Sequence, residues 1–186
     1  MNLKKTILIA TIITTFLYPP LTTAETQKID LNAIQKSANE GSMNAQISLG
    51  YLYSHGEKVS QDYIKAAKWY EKAAEQGSNI AQILLGSMYY NGEGVLQNYV
   101  KAAEWYEKAA NQGNAQAQFN LGSMYERGQG VPQNYVKAAE WYEKAANQGN
   151  AQAQFNLGSM YERGQGVPQN YVKAAEWYEK AANQGN

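Results

Sequence analysis

Residues 113–148 and 149–184 of the 186-residue chain are the same 36 residues written twice. Two less similar copies precede them, at 41–76 and 77–112, without insertion or deletion between any pair. A strict period of this length means that each copy adopts one shape and stacks on its neighbours in one way. The sequence therefore predicts a linear repeat protein, whose function lies on the surface that the stack presents.

Each copy has the pattern of two helices joined by a glycine-bearing turn. In the last copy, Asn150 and Asn170 stand where the first free backbone N–H groups of a helix need an acceptor. Gly164 and Gly166 follow the first helix and end it. The second helix carries apolar residues three and four apart, on one face. The residues of this face are Tyr171, Ala174, Ala175, Tyr178, Ala181 and Ala182. We predict an all-α solenoid of antiparallel helix pairs.

The two ends of the repeat array differ in sequence. Residues 25–40 align with a second helix, with Asp30 at its capping position, and we expect this half repeat to cover the first copy. The second helix of the last copy repeats that of the third copy unchanged, although solenoid ends usually need a polar outer face. The residues that we expect to be partly uncovered are Trp177, Tyr178, Ala181 and Ala182. We expect end-to-end self-association, or docking of another protein, at this end, and the alternative is fraying of the last helix.

All four copies contain A-Q-x-x-L-G-x-(M/L)-Y, then a glycine-bearing turn, then K-A-A-x-W-Y-x-K-A-A-x-Q-G. This pattern resembles the Sel1-like repeat (SLR), a relative of the tetratricopeptide repeat with a slightly longer period, over residues 41–184. The resemblance implies a right-handed superhelix of helix pairs that serves mainly as an adaptor in protein assembly. One departure lies in the first copy, where Lys58 replaces the second glycine of the turn, so we expect that turn to be shaped differently.

Residues 1–24 have the order of a secretory signal peptide. Two lysines precede a short apolar run, two prolines end it, and small residues at 22–24 offer a cleavage site. The run is too short to span a membrane comfortably. We therefore expect cleavage near Ala24 and a periplasmic or secreted mature chain without a membrane anchor.

Charge and cysteine content exclude several classes of function. Removal of residues 1–24 takes two lysines and no acid from a chain of zero formal net charge, which leaves −2. Nucleic-acid binding needs a concentrated basic face, so we expect no nucleic-acid partner. The chain has no cysteine, so packing alone must stabilise it. Cysteine-rich secreted members of the resembled family are associated with weak β-lactam hydrolysis, but they carry two cysteines per copy, and the resemblance does not extend to that activity.

Differences between the copies fall on one face of the first helix. The second-helix segments 97–112, 133–148 and 169–184 are identical, whereas the first helix varies at five positions that share a face. A face that accepts Ser, Leu, Asn, Tyr, Glu and Arg in turn is not packed core. In solenoids of this kind the first helices line the concave surface. The predicted partner-binding residues of this variable stripe are Ser48, Tyr51, Ile80, Leu84, Tyr90, Asn120, Arg127 and Arg163.

The variable stripe is apolar and aromatic in its N-terminal half and charged in its C-terminal half. Clustered exposed apolar side chains favour a binding role, whereas neighbouring Glu and Arg residues are typical of a solvated surface. We therefore expect a secreted or periplasmic scaffold that binds another protein or a peptide through its concave face, with the apolar half contributing most. The sequence does not identify this partner.

No catalytic or metal-binding motif is present in the sequence. His55 is the only histidine, and Glu57 and Asp62 beside it provide too few donors for a metal site. Neither Ser-x-x-Lys nor Gly-x-Ser-x-Gly occurs. We expect no enzymatic activity and no cofactor. Two alternatives stay open, namely a weak envelope hydrolase of the β-lactamase or cell-wall type, and glycan binding through the tyrosines.

Overall fold

The computed structural model describes residues 30–185 and shows an all-α solenoid, as the sequence predicts. No strand occurs within this range. The predicted signal peptide at residues 1–24 lies outside the described residues. The helices are α1 (Leu31–Asn39), α2 (Met43–His55), α3 (Tyr63–Glu75), α4 (Asn79–Asn91), α5 (Tyr99–Asn111), α6 (Ala115–Arg127), α7 (Tyr135–Asn147), α8 (Ala151–Arg163) and α9 (Tyr171–Ala182).

Capping side chains begin the helices where the sequence predicts. Asn150 Oδ1 accepts a hydrogen bond from the Ala153 backbone N–H at 2.8 Å, and Asn170 Oδ1 accepts one from the Lys173 N–H at 2.9 Å. The Asn170 backbone N–H in turn donates to the Tyr161 carbonyl at 2.8 Å. The cap of α9 is therefore anchored on α8, which fixes how the two helices of one copy meet.

A glycine of the first helix lets the two helices of each copy approach closely. A Cβ atom at Gly122 of α6 would lie 2.8 Å from the Tyr142 ring of α7, and one at Gly86 of α4 would lie 2.8 Å from the Tyr106 ring of α5. Real Cβ atoms are not found that close to another side chain. The glycine of the Leu-Gly pair thus contacts the tyrosine of the Trp-Tyr pair in the same copy.

Neighbouring copies pack through small residues of the second helix. Ala138, Ala139, Tyr142, Ala145 and Ala146 of α7 are buried and form one core with the first helix of the next copy, α8. That helix contributes Leu157 and Met160. Alanine permits close approach of the helix backbones, and the tyrosine ring fills the remaining volume.

The last helix, α9, is only partly uncovered. Ala175 and Ala182 are exposed and Tyr178 is half-buried, as expected for a face without a neighbour in the described chain. The prediction is wrong for Ala181, which is buried, and for Trp177, which is half-buried like its counterparts and packs against the core of copies three and four. The burial of these two side chains therefore does not depend on a following copy.

The turn of the first copy has the same backbone shape as the others, which corrects the expectation based on Lys58. Lys58 has φ 62°, and its counterpart Gly130 has φ 72°. A Cβ atom at Gly130 would meet the Tyr99 carbonyl oxygen at 2.2 Å, at the start of the preceding copy's second helix. In the first copy, α1 takes the place of the preceding copy's second helix. It begins at Leu31, about one helical turn later than α5 does relative to Gly130.

Buried glutamine side chains connect each copy to the one before it. Gln118 Nε2 donates to the Ala110 carbonyl oxygen of the preceding copy at 3.2 Å, and Gln148 Nε2 donates to Gln118 Oε1 at 2.7 Å. We call these paired contacts the glutamine joints. The joints centred on Gln46, Gln82 and Gln154 have the same geometry. Each one satisfies a buried amide and fixes the spacing of successive copies.

The half repeat α1 covers the first copy. Asp30 caps it by accepting from the Asn32 and Ala33 backbone N–H groups. Ala38 is buried against Leu49 and Leu52 of α2, and its carbonyl oxygen accepts from Gln46. The α1 helix thus takes the place that a full second helix has between later copies.

Candidate functional site

The variable stripe lines an open groove between α4 and α6, the first helices of copies two and three. The groove has a volume of about 470 Å³. One wall consists mainly of apolar and aromatic side chains and the other mainly of amides and hydroxyls. The lining residues are Ile83, Leu84, Ser87, Tyr90, Tyr106, Gln116, Phe119, Asn120, Ser123 and Arg127.

Hydrogen bonds hold the side chains at both ends of the groove. Tyr90 Oη donates to Gln129 Oε1 at 2.8 Å, which ties α4 to the turn of the next copy. Gln116 Nε2 donates to Asn120 Oδ1 at 3.0 Å along α6. The aromatic ring and the amide row are therefore positioned before any partner arrives, which lowers the entropy cost of binding.

The Tyr106 hydroxyl reaches the groove from the second helix, α5. Burial raises the pKa of this phenol to about 12, and a hydrogen bond with Ser87 opposes part of that rise. Tyr106 is therefore protonated at any physiological pH. It contributes a neutral hydroxyl to the lining of the groove.

Arg127 is the one charged residue among those that line the groove, and it is exposed. Its neighbour Glu126 points elsewhere, because Glu126 Oε2 accepts a hydrogen bond of 2.6 Å from the Tyr142 hydroxyl. The groove is consequently mixed in character, with an apolar wall, neutral polar groups and a single positive charge.

The structure brings half of the predicted binding residues together. Leu84, Tyr90, Asn120 and Arg127 line the groove. The residues that do not line it are Ser48, Tyr51, Ile80 and Arg163. Ser48 donates to the Asn44 carbonyl oxygen at 2.9 Å, and Tyr51 stacks on His55 with ring centroids 4.0 Å apart. The predicted division into an apolar and a charged half therefore does not describe the groove, which straddles both.

Comparison of the four copies with one another did not identify the groove residues Ile83, Phe119 and Tyr106. Ile83 and Phe119 occupy one repeat position that is apolar in every copy, and Tyr106 belongs to the invariant second helix, so all three read as core. The change from isoleucine in copies one and two to phenylalanine in copies three and four was the available signal. Tyr106 is the same in every copy because its ring packs in the core, but its hydroxyl reaches the groove.

The most reactive-looking pair of side chains is Ser54 and His55, at the end of α2. Ser54 Oγ lies 2.9 Å from His55 Nδ1. Both atoms also lie within hydrogen-bonding distance of the Tyr51 carbonyl oxygen, at 2.9 Å and 3.0 Å. A carbonyl can only accept, so the Nδ1 atom that faces it carries the proton and cannot act as the base for the serine. This geometry does not favour the hydrolase alternative.

Two further properties concern the described residues alone. No three His, Cys, Asp or Glu side chains there lie close enough to hold a metal ion. No helix between residues 30 and 185 has the length and apolar character needed to cross a membrane.

The Sel1 repeat family model matches residues 44–78, 79–114, 115–150 and 151–186. These segments begin two or three residues after the copies delimited by internal identity, with the same number of repeats. No curated protein sequence matches the chain significantly.

Solved structures of other Sel1 repeat proteins resemble the chain. A protective antigen present in uropathogenic Escherichia coli strains, which displays an SLR fold, is 44% identical with a TM-score of 0.83, over 86% of this chain and 34% of that one. A Sel1 repeat protein from Oxalobacter formigenes is 31% identical with a TM-score of 0.81, over 100% of this chain and 71% of that one. Cysteine rich protein B of Helicobacter pylori is 30% identical with a TM-score of 0.54, over 70% and 94%.

The chain spans about a third of the length of the E. coli protein. The Sel1 family model nevertheless matches all four repeats of this chain. The chain belongs to the Sel1 repeat family, whose members are generally protein-interaction scaffolds.

Proposed function

We propose that this protein is an exported, non-enzymatic scaffold that binds a segment of another protein in the groove between α4 and α6. The observation that carries the proposal is a set of partly exposed apolar side chains, which we call the apolar wall: Leu84 and Tyr90 on α4 and Phe119, which faces them from α6. Partly exposed side chains of this kind, clustered beside positioned polar groups, are characteristic of interaction sites. Leu84 and Tyr90 also occupy positions that differ between copies, so packing between copies does not require them.

A comparison of two single variants tests this proposal. A partner is captured on the full chain from envelope extract, and its affinity is measured by calorimetry. We expect Tyr90→Ala to cost on the order of 1–3 kcal/mol of binding free energy, as buried aromatic anchors do. Arg163→Ala, outside the groove, should cost little, because exposed charges contribute little. Equal losses, or a larger loss for Arg163→Ala, would contradict the assignment of the groove.

The proposed export rests on the sequence of residues 1–24. A charged start, a short apolar run and a small-residue cleavage site predict processing near Ala24. Sel1 repeat proteins are often periplasmic or secreted, which is consistent with this. N-terminal sequencing of the protein from its natural host should find Glu25 as the first residue. An intact Met1 in the main cellular form would refute export.

The hydrolase alternative has a direct test. Turnover of a chromogenic β-lactam by the full chain is compared with turnover by Ser54→Ala, which removes the only serine in contact with the single histidine within the described range. We expect no turnover by either protein. Turnover that disappears in Ser54→Ala would replace the scaffold proposal.

Glycan binding is less favoured at the tryptophans and at four of the tyrosines, because lysines of the chain itself lie over these rings. Lys108 Nζ lies 3.8 Å from the centroid of the Trp105 ring, and Lys144 Nζ lies 4.0 Å from that of Trp141. Such cation–π contacts must be broken before a sugar can reach the ring. Equivalent contacts involve Lys72 with Trp69, Lys180 with Trp177, Lys65 with Tyr53, Lys101 with Tyr89, Lys137 with Tyr125 and Lys173 with Tyr161.

We also propose that the uncovered face of α9 mediates tail-to-tail association of two copies of the chain. Ala175, Tyr178 and Ala182 on this face are more exposed than their buried counterparts in copy three. The first copy is already covered by α1, so a second chain would meet this face with its own α9. Sedimentation across a concentration series should show a dimer that Ala182→Lys abolishes.

Val172→Lys is the control for this experiment, because Val172 is exposed on the same helix at a position that is also exposed in copy three. A protein that stays monomeric at the highest concentration, or a dimer that both variants weaken equally, would refute association through this face.

A further inference from the structure

The groove between α4 and α6 offers a positive charge that the chain itself does not neutralise. The ion pairs of the described residues join Lys36 with Glu40 and Lys65 with Asp62, and neither involves Arg127. None of the groove-lining residues is acidic. A segment bound in the groove would therefore gain most from placing a carboxylate at Arg127, because bonds between arginine and carboxylate are charge-assisted and frequently bidentate.

The nearest acid along the chain is held away from Arg127 by a neutral donor. Glu126 Oε2 accepts a hydrogen bond from the Tyr142 hydroxyl at 2.6 Å. Burial, and then this hydrogen bond to Glu126, raise the pKa of Tyr142, so the phenol stays protonated and continues to donate. Arg127 is thus free to meet an external carboxylate.

Beside this charge lies the apolar wall, which provides the second half of the recognition. Leu84, Tyr90 and Phe119 are each partly exposed and line the same groove. Burying an aliphatic or aromatic side chain of a partner there removes apolar surface on both molecules from water.

Building on the proposed function above, we propose that the groove selects protein segments in which an acidic side chain lies beside an aliphatic or aromatic one. The acidic group binds Arg127, and the apolar group packs on Leu84, Tyr90 and Phe119. The row of Gln116, Asn120 and Ser123 is placed to hydrogen-bond the backbone of the bound segment.

The next groove of the solenoid, between α6 and α8, is the internal control. It contains Arg163, the counterpart of Arg127, but Asn120 and Glu126 stand in register with Leu84 and Tyr90. An amide replaces the Leu84 side chain and a carboxylate replaces the Tyr90 ring, so that only Phe155, the counterpart of Phe119, remains apolar. The same arginine in an identical repeat therefore has one apolar counterpart in register, Phe155, instead of three, and the Glu126 carboxylate in place of a neutral tyrosine.

The experiment is a selection of short random peptides displayed on phage, with the full chain as bait. Selected peptides should contain Asp or Glu next to Leu, Ile, Phe, Trp or Tyr. Selection on Arg127→Glu should replace the acidic residue by a basic one, whereas selection on Arg163→Glu should return the same peptides as the unmodified chain. Both arginines are exposed, so both variants should retain the helical content of the unmodified chain.

The most enriched peptide is then synthesised with its acidic residue intact or replaced by the corresponding amide. Arg127→Ala should weaken binding of the acidic peptide by about tenfold or more, since hydrogen bonds to charged groups are the stronger class. The same variant should leave binding of the amide peptide nearly unchanged. Leu84→Asn, which introduces the residue found at that position in copies three and four, should weaken both peptides.

The possible results separate this inference from the function on which it rests. Peptides that depend on Tyr90 and Leu84 but lack an acidic residue, or that bind Arg127→Glu undiminished, overturn the inference and leave the scaffold intact. Equal effects of Arg127→Ala and Arg163→Ala also overturn it. If no selected peptide depends on Leu84, Tyr90 or Arg127, both the inference and the proposed function fail.

Discussion

Copies three and four are the same 36 residues in two different environments. In copy three, Ala139, Tyr142 and Ala146 are buried, because α8 of the next copy covers them. In copy four, their counterparts Ala175 and Ala182 are exposed and Tyr178 is half-buried. Phe155 likewise has 56% of its surface exposed, whereas its counterpart Phe119 packs against the following core.

The comparison separates contacts between residues of the same copy from contacts between one copy and the next. Tyr142 donates to Glu126 at 2.6 Å, and Tyr178 donates to Glu162 at 2.8 Å, so this internal contact is the same in both copies. Any difference in the energetics of equivalent residues must then come from the neighbour. The chain thus contains its own matched control for every substitution made in these two copies.

The largest difference is expected for the tyrosines themselves. Tyr142→Ala should lower the free energy of unfolding by about 3–5 kcal/mol, the usual cost of emptying a buried aromatic site. Tyr178→Ala should cost clearly less, because solvent already reaches part of the ring. Urea denaturation followed by circular dichroism, fitted with a repeat model that allows end unfolding, measures both losses. Equal losses would mean that the internal contacts of a copy, not its neighbour, determine its stability.

The second difference concerns alkaline pH. Burial raises the pKa of Tyr106, the counterpart of Tyr142 in copy two, to about 12 from an unfolded value near 10. A raised pKa in the folded state means that the associated stability is complete below about pH 10 and is lost as pH rises towards 12. The loss is about 2–3 kcal/mol at most for such a shift. Tyr106→Phe should reduce the dependence of unfolding free energy on pH in this window.

Tyr178→Phe, at the exposed end of the array, serves as the comparison variant for that measurement. Tyr178 is more exposed than Tyr106, so its replacement should change the alkaline dependence less. Burial and the Glu162 carboxylate both raise the pKa of Tyr178, so equal flattening by the two phenylalanine variants would mean that this carboxylate matters as much there as burial does at Tyr106.

The third difference lies in the glycines that face these rings. A Cβ atom would lie 2.8 Å from the Tyr142 ring at Gly122 and 2.9 Å from the Tyr178 ring at Gly158. Gly122→Ala should cost about 1–3 kcal/mol of stability, as overpacking does, since Tyr142 is enclosed. Gly158→Ala should cost less, because Tyr178 has room to shift towards solvent. Thermal denaturation of the two variants compares them, and a larger loss for Gly158→Ala would contradict this reasoning.

The smallest expected loss of stability comes from removing a helix cap, and this loss should be the same in the two copies. Asn114 Oδ1 accepts from the Ala117 N–H at 3.1 Å, and Asn150 Oδ1 accepts from the Ala153 N–H at 2.8 Å. Each cap lies within its own copy, so Asn114→Ala and Asn150→Ala should both cost about 1 kcal/mol. Unfolding free energies that agree within error confirm that caps are local, and a clear difference would show that they depend on the neighbour.

Much of the fold could be predicted from the sequence because the relevant signals are local and repeated. The period, the caps at Asn150 and Asn170, and the covering helix after Asp30 all depend on residues close together in sequence. The shape of the turn at Lys58 was predicted wrongly. In later copies the residue at this position must be glycine, because a Cβ atom there would meet a backbone carbonyl of the preceding copy. This contact joins residues far apart in sequence, so the sequence of one turn does not reveal it.

The candidate site could be predicted only in part, for a related reason. Variation between copies identified Leu84, Tyr90, Asn120 and Arg127, which lie on exposed parts of first helices. It could not show that residues of two different copies meet in one groove. Variation also missed Tyr106, whose ring packs in the core while its hydroxyl reaches the groove.

The glutamine joints have a consequence for the length of the protein. If residues 113–148 were deleted, Gln154 would follow Ala110 at the same distance along the chain as Gln118 does now, and the joint would form again with the same atoms. The first helix of copy four would then lie beside α4, and Phe155, Asn156 and Arg163 would rebuild the groove with Leu84 and Tyr90. Gain or loss of one such unit through recombination would therefore alter the reach of the molecule while leaving its recognition surface unchanged.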